Sequence, residues 1–111
     1  MKSKEFLFGK DLPWEEVGPG LKRQIQGYDD KILLARVLFE KGAVGEVHDH
    51  HHSQVTYVVE GEFELQIGDE KKVIKAGDGF YIPPHVPHGA VCLKKGELID
   101  VFSPIREDFL K

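Results

Sequence analysis

The residues best suited to chemistry in this sequence are histidines that occur in two short groups. In the first group, His48, His50 and His52 are two residues apart, and Gln54 follows at the same spacing. On an extended chain, side chains two apart project to the same face, so this spacing predicts a stripe of imidazoles along a strand. Imidazole nitrogen suits zinc, copper, iron and nickel. The first group therefore predicts one side of a metal site, and His51 is expected to point away from it.

The second group, His85 and His88, follows about 35 residues later, in a segment that contains three prolines, residues 82–88 (IPPHVPH). A metal ion needs ligands from a second segment to close its coordination sphere, and proline stiffens the backbone that presents them. The competing interpretation is a solvated histidine-rich loop. An expression remnant is disfavoured because the histidines lie far from both ends of the chain. We expect one divalent metal ion per chain.

The elements that must position these side chains are predicted to be short strands. Residues 31–40 are apolar on both faces and predict a buried strand. Residues 54–59 and 62–67 predict a hairpin with a tight turn at Glu60 and Gly61. Glycine-containing turns, including one at residues 94–96, separate further predicted strands at residues 21–25, 72–74, 80–82, 89–93 and 98–102. Strands at this spacing predict an all-β sandwich or closed barrel.

Length and composition limit the classes of protein that fit. A chain of 111 residues suits one domain. We divide it into an N-terminal arm and first strand (1–30), a barrel core (31–103) and a C-terminal tail (104–111). The net charge of −4, with no basic run, argues against nucleic acid. The single cysteine, Cys92, excludes a disulfide framework, and no run reaches membrane-spanning length, so we expect a cytoplasmic protein that binds no membrane.

Two stretches resemble the paired motifs of the cupin superfamily. Residues 42–61 (GAVGEVHDHHHSQVTYVVEG) resemble the first motif, with His48 and His50 in place and Gln54 where glutamate is usual. Residues 77–88 (GDGFYIPPHVPH) resemble the second motif, which ends here on His88. The resemblance implies a double-stranded β-helix, or jelly roll, whose mouth holds the metal on the four residues His48, His50, Gln54 and His88.

The remaining histidines, His51, His52 and His85, are expected at the rim of the site, with His52 nearest the ion. One difference from the second motif is that Cys92 stands where an asparagine usually closes it.

A narrower resemblance covers nearly the whole chain. Residues 98–110 (LIDVFSPIREDFL), together with residues 13–15, Gly20, Arg23 and Gln24, are similar to the pectin-degradation (KdgF) group of cupins. That resemblance implies an enzyme that opens the ring of a 4,5-unsaturated uronate to the linear keto form. It also implies a metal held by three histidines and a glutamine. Ni, Zn, Mn and Fe all remain open as its identity. The residues it places beside the metal are Asp100, Phe102 and Arg106.

The residues themselves are compatible with that chemistry. Asp100 shares a strand face with apolar Leu98 and Phe102. An aspartate among apolar residues is unusual, which indicates a specific role. A neutral Gln54 leaves the charge of the ion uncompensated, which favours a small anionic sugar. Arg106 offers the planar fork that binds carboxylates.

Plainer interpretations compete with each of these roles. Asp100 could pair with a lysine, Arg106 could form a surface ion pair with Glu107 or Asp108, and Phe102 could be core. Arg36 could be a second carboxylate contact or an arginine that reaches the barrel rim, and Trp14 and Tyr57 could line the mouth or simply pack.

Two other functions stay open, since a fold and a metal site do not dictate a reaction. One is a cupin-type dioxygenase, and the other is a non-catalytic sugar-binding barrel. We also expect a homodimer, because the strands at residues 31–39 and 98–102 are apolar on both faces and a lone barrel must cover them.

Overall fold

Antiparallel β-strands form most of the computed structural model, which describes residues 1–110. The eight strands of this region are β1 (Glu15–Gly18), β2 (Leu21–Asp29), β3 (Ile32–Phe39), β4 (Val44–His48), β5 (Ser53–Ile67), β6 (Glu70–Lys75), β7 (Gly79–Ile82) and β8 (His88–Ser103). Short 3₁₀ turns occupy Gly9–Asp11 and Glu107–Leu110. The prediction of an all-β single domain is confirmed. No helix within the described residues is long and apolar enough to cross a membrane.

Two long strands, β5 and β8, belong to both halves of the barrel. Residues 53–58 of β5 pair with residues 98–103 of β8, and β3 and β7 lie outside this central pair. Residues 62–67 of β5 pair with residues 88–94 of β8, and here β4 and β6 are the outer neighbours. Strands β2 and β1 extend the first half beyond β3. This arrangement encloses an interior between two sheets that share their longest strands.

The predicted hairpin at residues 54–67 is wrong, because Glu60 and Gly61 lie inside continuous β5. The pairing register shifts around them, and Gly61 has a φ of 91°. A Cβ at Gly61 would lie 2.6 Å from the carbonyl oxygen of Lys94, so β8 passes too close for any side chain here. The turn predicted at residues 94–96 likewise lies within β8. Glycine with positive φ serves a bulge as well as a turn, and here it bends a strand.

The remaining predicted strands are present. The prediction at residues 31–40 corresponds to β3, and those at 21–25, 72–74 and 80–82 lie in β2, β6 and β7. The hairpin turn is at Gly68 and Asp69, between β5 and β6.

Alternation along these strands builds the core. Inward-facing residues form two clusters, one around Phe39, Val58 and Phe63 and the other around Leu33 and Phe102. The rings of Phe39 and Phe63 meet edge to face with centroids 5.1 Å apart. This packing supports the interior end of the candidate site.

The N-terminal arm covers the opposite, outward face of β2 and β3. The amide of Gln24 is fully buried and donates to the carbonyl oxygens of Gly9 and Leu12. Because the arm occupies this face, polar residues of β2 and β3 that point outward are separated from the barrel interior.

Candidate metal centre and adjoining cavity

Three histidines converge at one end of the barrel. His48 ends β4 and His88 begins β8, and the two residues are partners in the ladder. His50 follows in the connection to β5, where its carbonyl oxygen accepts a hydrogen bond from the backbone N–H of His85. The ring of His88 lies 4.5 Å from that of His48 and 4.8 Å from that of His50, measured between centroids. One ring nitrogen from each histidine lies within 4.8 Å of the others, so the three are positioned to bind a metal ion.

Backbone carbonyls set the ring orientations. The Nδ1 atoms of His48, His50 and His88 lie 2.8, 3.1 and 2.9 Å from the carbonyl oxygens of Glu46, His52 and Val86, respectively. A carbonyl only accepts hydrogen bonds, so these contacts favour the tautomer in which Nδ1 carries the proton. Each Nε2 then keeps its lone pair for a ligand. Such outer contacts commonly orient histidines that bind metals.

The polar atoms around His50 and His88 fit a metal ion. Nε2 of His88 is buried and has no hydrogen-bond partner in the described residues. Nε2 of His50 lies 3.1 Å from Oε1 of Gln54, and a neutral imidazole cannot donate to this oxygen and to the carbonyl of His52 together. A cation shared by Nε2 and Oε1 satisfies both atoms.

Burial also keeps the imidazoles of His50 and His88 in the neutral form that can bind a metal. It is the largest influence on the pKa of His88, which falls to about 4, and it lowers the pKa of His50 as well. Both imidazoles are therefore neutral at pH 7, which is the protonation state that binds a metal.

Gln54 connects the histidines to Asp100. Its Nε2 donates to the hydroxyl of Thr56 at 3.0 Å and to Oδ1 of Asp100 at 3.4 Å, so its Oε1 faces the histidines. The Thr56 hydroxyl in turn donates to the same Oδ1 at 2.6 Å. Burial raises the pKa of Asp100 to about 6, although these hydrogen bonds act in the opposite direction. No side chain within residues 1–110 donates to Oδ2 of Asp100.

Arg106 reaches the site from the segment after β8. Its Nε and Nη2 donate to the two carboxylate oxygens of Asp108 at 3.0 and 2.8 Å. The alternative role considered for Arg106, an ion pair with a neighbouring acid, is thus present. Arg106 is only 8% exposed, however, so this is not a surface pair. Its guanidinium carbon lies 4.9 Å from the ring centroid of Phe102 and 4.2 Å from that of Phe109. The guanidinium edge formed by Nη1 and Nη2 remains available to donate hydrogen bonds to a second carboxylate.

These groups share one cavity of about 400 Å³. Its wall includes His48, Gln54, His88, Asp100 and Arg106. Phe102 packs beside it, with its ring edge to face with that of His50 at 5.7 Å between centroids. A larger groove of about 1000 Å³ lies elsewhere, under the N-terminal arm, and none of the three converging histidines lines it. The smaller cavity is therefore the candidate site.

The stripe predicted along one strand face is interrupted, because β4 ends at His48 and β5 begins at Ser53. His52 is buried with its ring 5.3 Å from that of His50 between centroids, but its Nε2 lies 3.1 Å from the carbonyl oxygen of Ile105, and it is not one of the three converging histidines. His51 and His85 are exposed. The turn between β4 and β5, rather than strand alternation, therefore brings His48 and His50 together.

Three residues left open by the sequence lie outside the cavity. Arg36 pairs with Glu97 on the outward face and lies 5.0 Å from the ring centroid of Trp14, and Tyr57 is exposed on that face.

Sequence reasoning missed two residues near the site. Thr56 holds Asp100, and its spacing of two from Gln54 was the signal that could have placed it on the same strand face as Gln54. Arg23 lines the cavity, and its spacing of two from apolar Leu21 and Ile25 places all three on one strand face.

The fold and the converging histidines together define a cupin-type barrel with a candidate metal centre. A family model described as "Cupin domain" matches residues 35–102. The pectin degradation protein KdgF of Dickeya dadantii is 42% identical over 109 residues, which cover 96% of this chain and 99% of that protein. The chain belongs to the cupin family, in the group of the pectin degradation protein KdgF.

Solved structures agree with this assignment. An RmlC-like cupin from Shewanella frigidimarina is 53% identical with a TM-score of 0.95, and the match covers 97% of each chain. KdgF from Halomonas sp. is 38% identical with a TM-score of 0.91, covering 96% of this chain and 99% of that one. The sequence-based prediction of a cupin resembling KdgF is confirmed.

Proposed function

We propose that this protein is a metal-dependent enzyme of pectin breakdown that opens the ring of 4,5-unsaturated uronates to the linear keto form. The observation that carries the proposal is the chain of contacts from the histidines through Gln54 and Thr56 to Asp100, in one cavity with Arg106. His48, His50, Gln54 and His88 would hold one divalent ion. When bound, the ion supplies positive charge that polarises a substrate oxygen.

Asp100 is suited to move the proton that this reaction requires. Ring opening takes a proton from the anomeric hydroxyl, which becomes a carbonyl at C1 as the bond between C1 and the ring oxygen breaks. The enolate that results takes up a proton at C4, so a ketone at C5 replaces the double bond between C4 and C5. The atoms balance without another reactant. A carboxyl whose pKa is raised to about 6 by burial can both accept and return a proton near neutral pH. Oδ2 of Asp100 is the oxygen available for this proton transfer.

Arg106 is proposed to bind the carboxylate of the uronate. Asp108 occupies one edge of its guanidinium, and the second edge offers two parallel N–H donors. Phe102 packs on the guanidinium of Arg106 and restricts the orientation of the guanidinium plane. We therefore assign substrate binding to Arg106, positioning to Phe102 and proton transfer to Asp100.

An ultraviolet assay tests the reaction directly. Addition of metal-loaded protein to a 4,5-unsaturated galacturonate should abolish the absorbance of its conjugated double bond, with no oxygen consumed. Oxygen uptake coupled to substrate loss would instead favour the cupin-type dioxygenase. Binding of the sugar with unchanged absorbance would favour a non-catalytic sugar-binding barrel.

The proposal also includes a homodimer. The outward face of β5, β7 and β8 carries a continuous apolar patch in which Val55 is the ladder partner of both Tyr81 and Val101. Val55, Tyr57 and Tyr81 are each more than half exposed. A second copy would remove this patch from water.

Light scattering at micromolar concentration tests the dimer. It should give twice the chain mass, and Tyr57→Lys should halve it. Val73→Lys changes a similarly exposed residue on β6 and should leave the dimer intact. A monomeric wild-type protein would contradict this part of the proposal.

A further inference from the structure

An arginine on the inward face of β2 borders the cavity without a role in the reaction described above. Leu21, Arg23 and Ile25 alternate with Lys22 and Gln24, and Arg23 is the ladder partner of Val37, which also lines the cavity. The Arg23 side chain is only 17% exposed. Withdrawing a guanidinium from water is costly, so an inward-facing arginine calls for a compensating partner.

The partners that the chain supplies leave donors of Arg23 unused. Its Nε and Nη2 both contact a single oxygen of Glu15, each at 3.0 Å. Glu15 is about half exposed, and ion pairs with such a residue are weak. Within residues 1–110 no other acceptor contacts this guanidinium, which has five N–H groups.

Arg23 and Arg106 are held as neighbours by one aromatic ring. The guanidinium carbon of Arg23 lies 3.7 Å from the ring centroid of Phe109, and that of Arg106 lies 4.2 Å from the same centroid. Cation–π contact stabilises both charges in this position and restricts their movement. The cavity wall thus carries two arginines, each with one acidic neighbour.

We propose that Arg23 is a second contact for the acid group of the substrate and determines selectivity for sugar acids over neutral sugars. This inference rests on the proposed function for the identity of the substrate class. Arg106 has one guanidinium edge occupied by Asp108, so the unused N–H groups of Arg23 complete the grip on a carboxylate. Arg23 binds and selects, whereas Asp100 transfers the proton.

Calorimetric titration of metal-loaded protein tests the role by binding alone. The probes are D-galacturonate, which lacks the double bond, and D-galactose, which lacks the carboxylate. Arg23→Gln should weaken galacturonate binding about tenfold or more, as expected for loss of hydrogen bonds to a charged group, and should leave galactose binding unchanged. With an unsaturated uronate, the variant should raise KM with little change in kcat.

Two matched variants distinguish direct substrate contact from an indirect effect of Arg23 through β1. Lys22→Gln removes the same charge from the exposed, opposite face of β2, and it should leave galacturonate binding unchanged. Glu15→Gln removes the partner of Arg23, and it should leave binding unchanged or tighten it. If Arg23 only anchors β1 through Glu15, then Glu15→Gln and Arg23→Gln will weaken binding equally, which would overturn the proposal.

Four more results bear on the role of Arg23. Unchanged galacturonate affinity in Arg23→Gln, or equal affinity of the wild type for galacturonate and galactose, contradicts that role. If Arg23→Gln fails to fold, Arg23→Lys keeps the charge and should still weaken galacturonate binding, and wild-type affinity in that variant counts against the proposal. Selective galacturonate binding without turnover of the unsaturated sugar would reject the ring-opening reaction while leaving the Arg23 contact supported.

Discussion

Thr56 and Asp100 are ladder partners on β5 and β8, and the hydroxyl of Thr56 donates to Oδ1 of Asp100 across 2.6 Å. Gln54, two residues before Thr56, donates to the same oxygen. Both donors therefore hold one carboxylate oxygen and leave the other without a donor in the described chain. An acid fixed in this way has a defined orientation toward the cavity, which is what proton transfer to a bound sugar requires.

Replacing Asp100 by Asn should remove turnover and preserve binding. The amide keeps the shape and can still accept the hydrogen bond from Thr56, but it cannot exchange a proton at neutral pH. We expect kcat to fall by about 10²-fold or more, with KM changed much less. The ultraviolet assay measures both, and elemental analysis controls for metal content. Near-normal turnover in a fully loaded variant would remove Asp100 from the mechanism.

The same substitution should change how stability depends on pH in metal-free protein. Burial raises the pKa of Asp100 from its ordinary value near 3.8 to about 6, so the native state takes up a proton that the unfolded state has released between these values. Stability contributed by this group is complete below about pH 4 and lost as the pH rises through about 6.

Asp100→Asn should therefore stabilise the metal-free protein more at pH 7 than at pH 4. Allowing for the partial exposure of the side chain, the difference should be about 2 kcal/mol. Urea unfolding with a chelator present measures it. Asp69→Asn, which removes an exposed turn carboxylate, is the control, and an equal pH effect in both variants would contradict the expectation.

Arg106→Lys should affect binding more than rate. Lysine keeps the positive charge but loses the planar pair of donors, and it also loses the bidentate contact with Asp108. We expect KM for the uronate to rise about tenfold while kcat changes less. A large fall in kcat at unchanged KM would instead place Arg106 in the chemical step.

Metal content should depend on His88 and not on His85. Loss of the buried His88 nitrogen removes one of three converging ligands, so His88→Ala should bind substantially less than the expected one divalent ion per chain, and His48→Ala should behave similarly. His85 is exposed and outside the triad, so His85→Ala should keep the full content. Elemental analysis after dialysis distinguishes these results. Full metal content in both His48→Ala and His88→Ala would disprove the assigned site.

Local sequence was sufficient to predict that the elements are β-strands and to identify the residues of the two motifs. A run that is apolar on both faces predicted β3, and the spacing of the histidines indicated a metal site. These signals are local because side-chain direction along a strand has a period of two, and because ligand chemistry belongs to the residue type.

Long-range pairing decided what the local signals could not. A glycine such as Gly61 is compatible with a turn and with a bulge, and only the approach of the Lys94 backbone makes it a bend within β5. Likewise, Arg23 and Arg36 lie in the adjacent strands β2 and β3. The arm covers the face that carries Arg36, whereas Arg23 lines the cavity with Arg106. Which arginine meets a ligand depends on what packs against each face of the sheet, and those contacts come from residues distant in the chain.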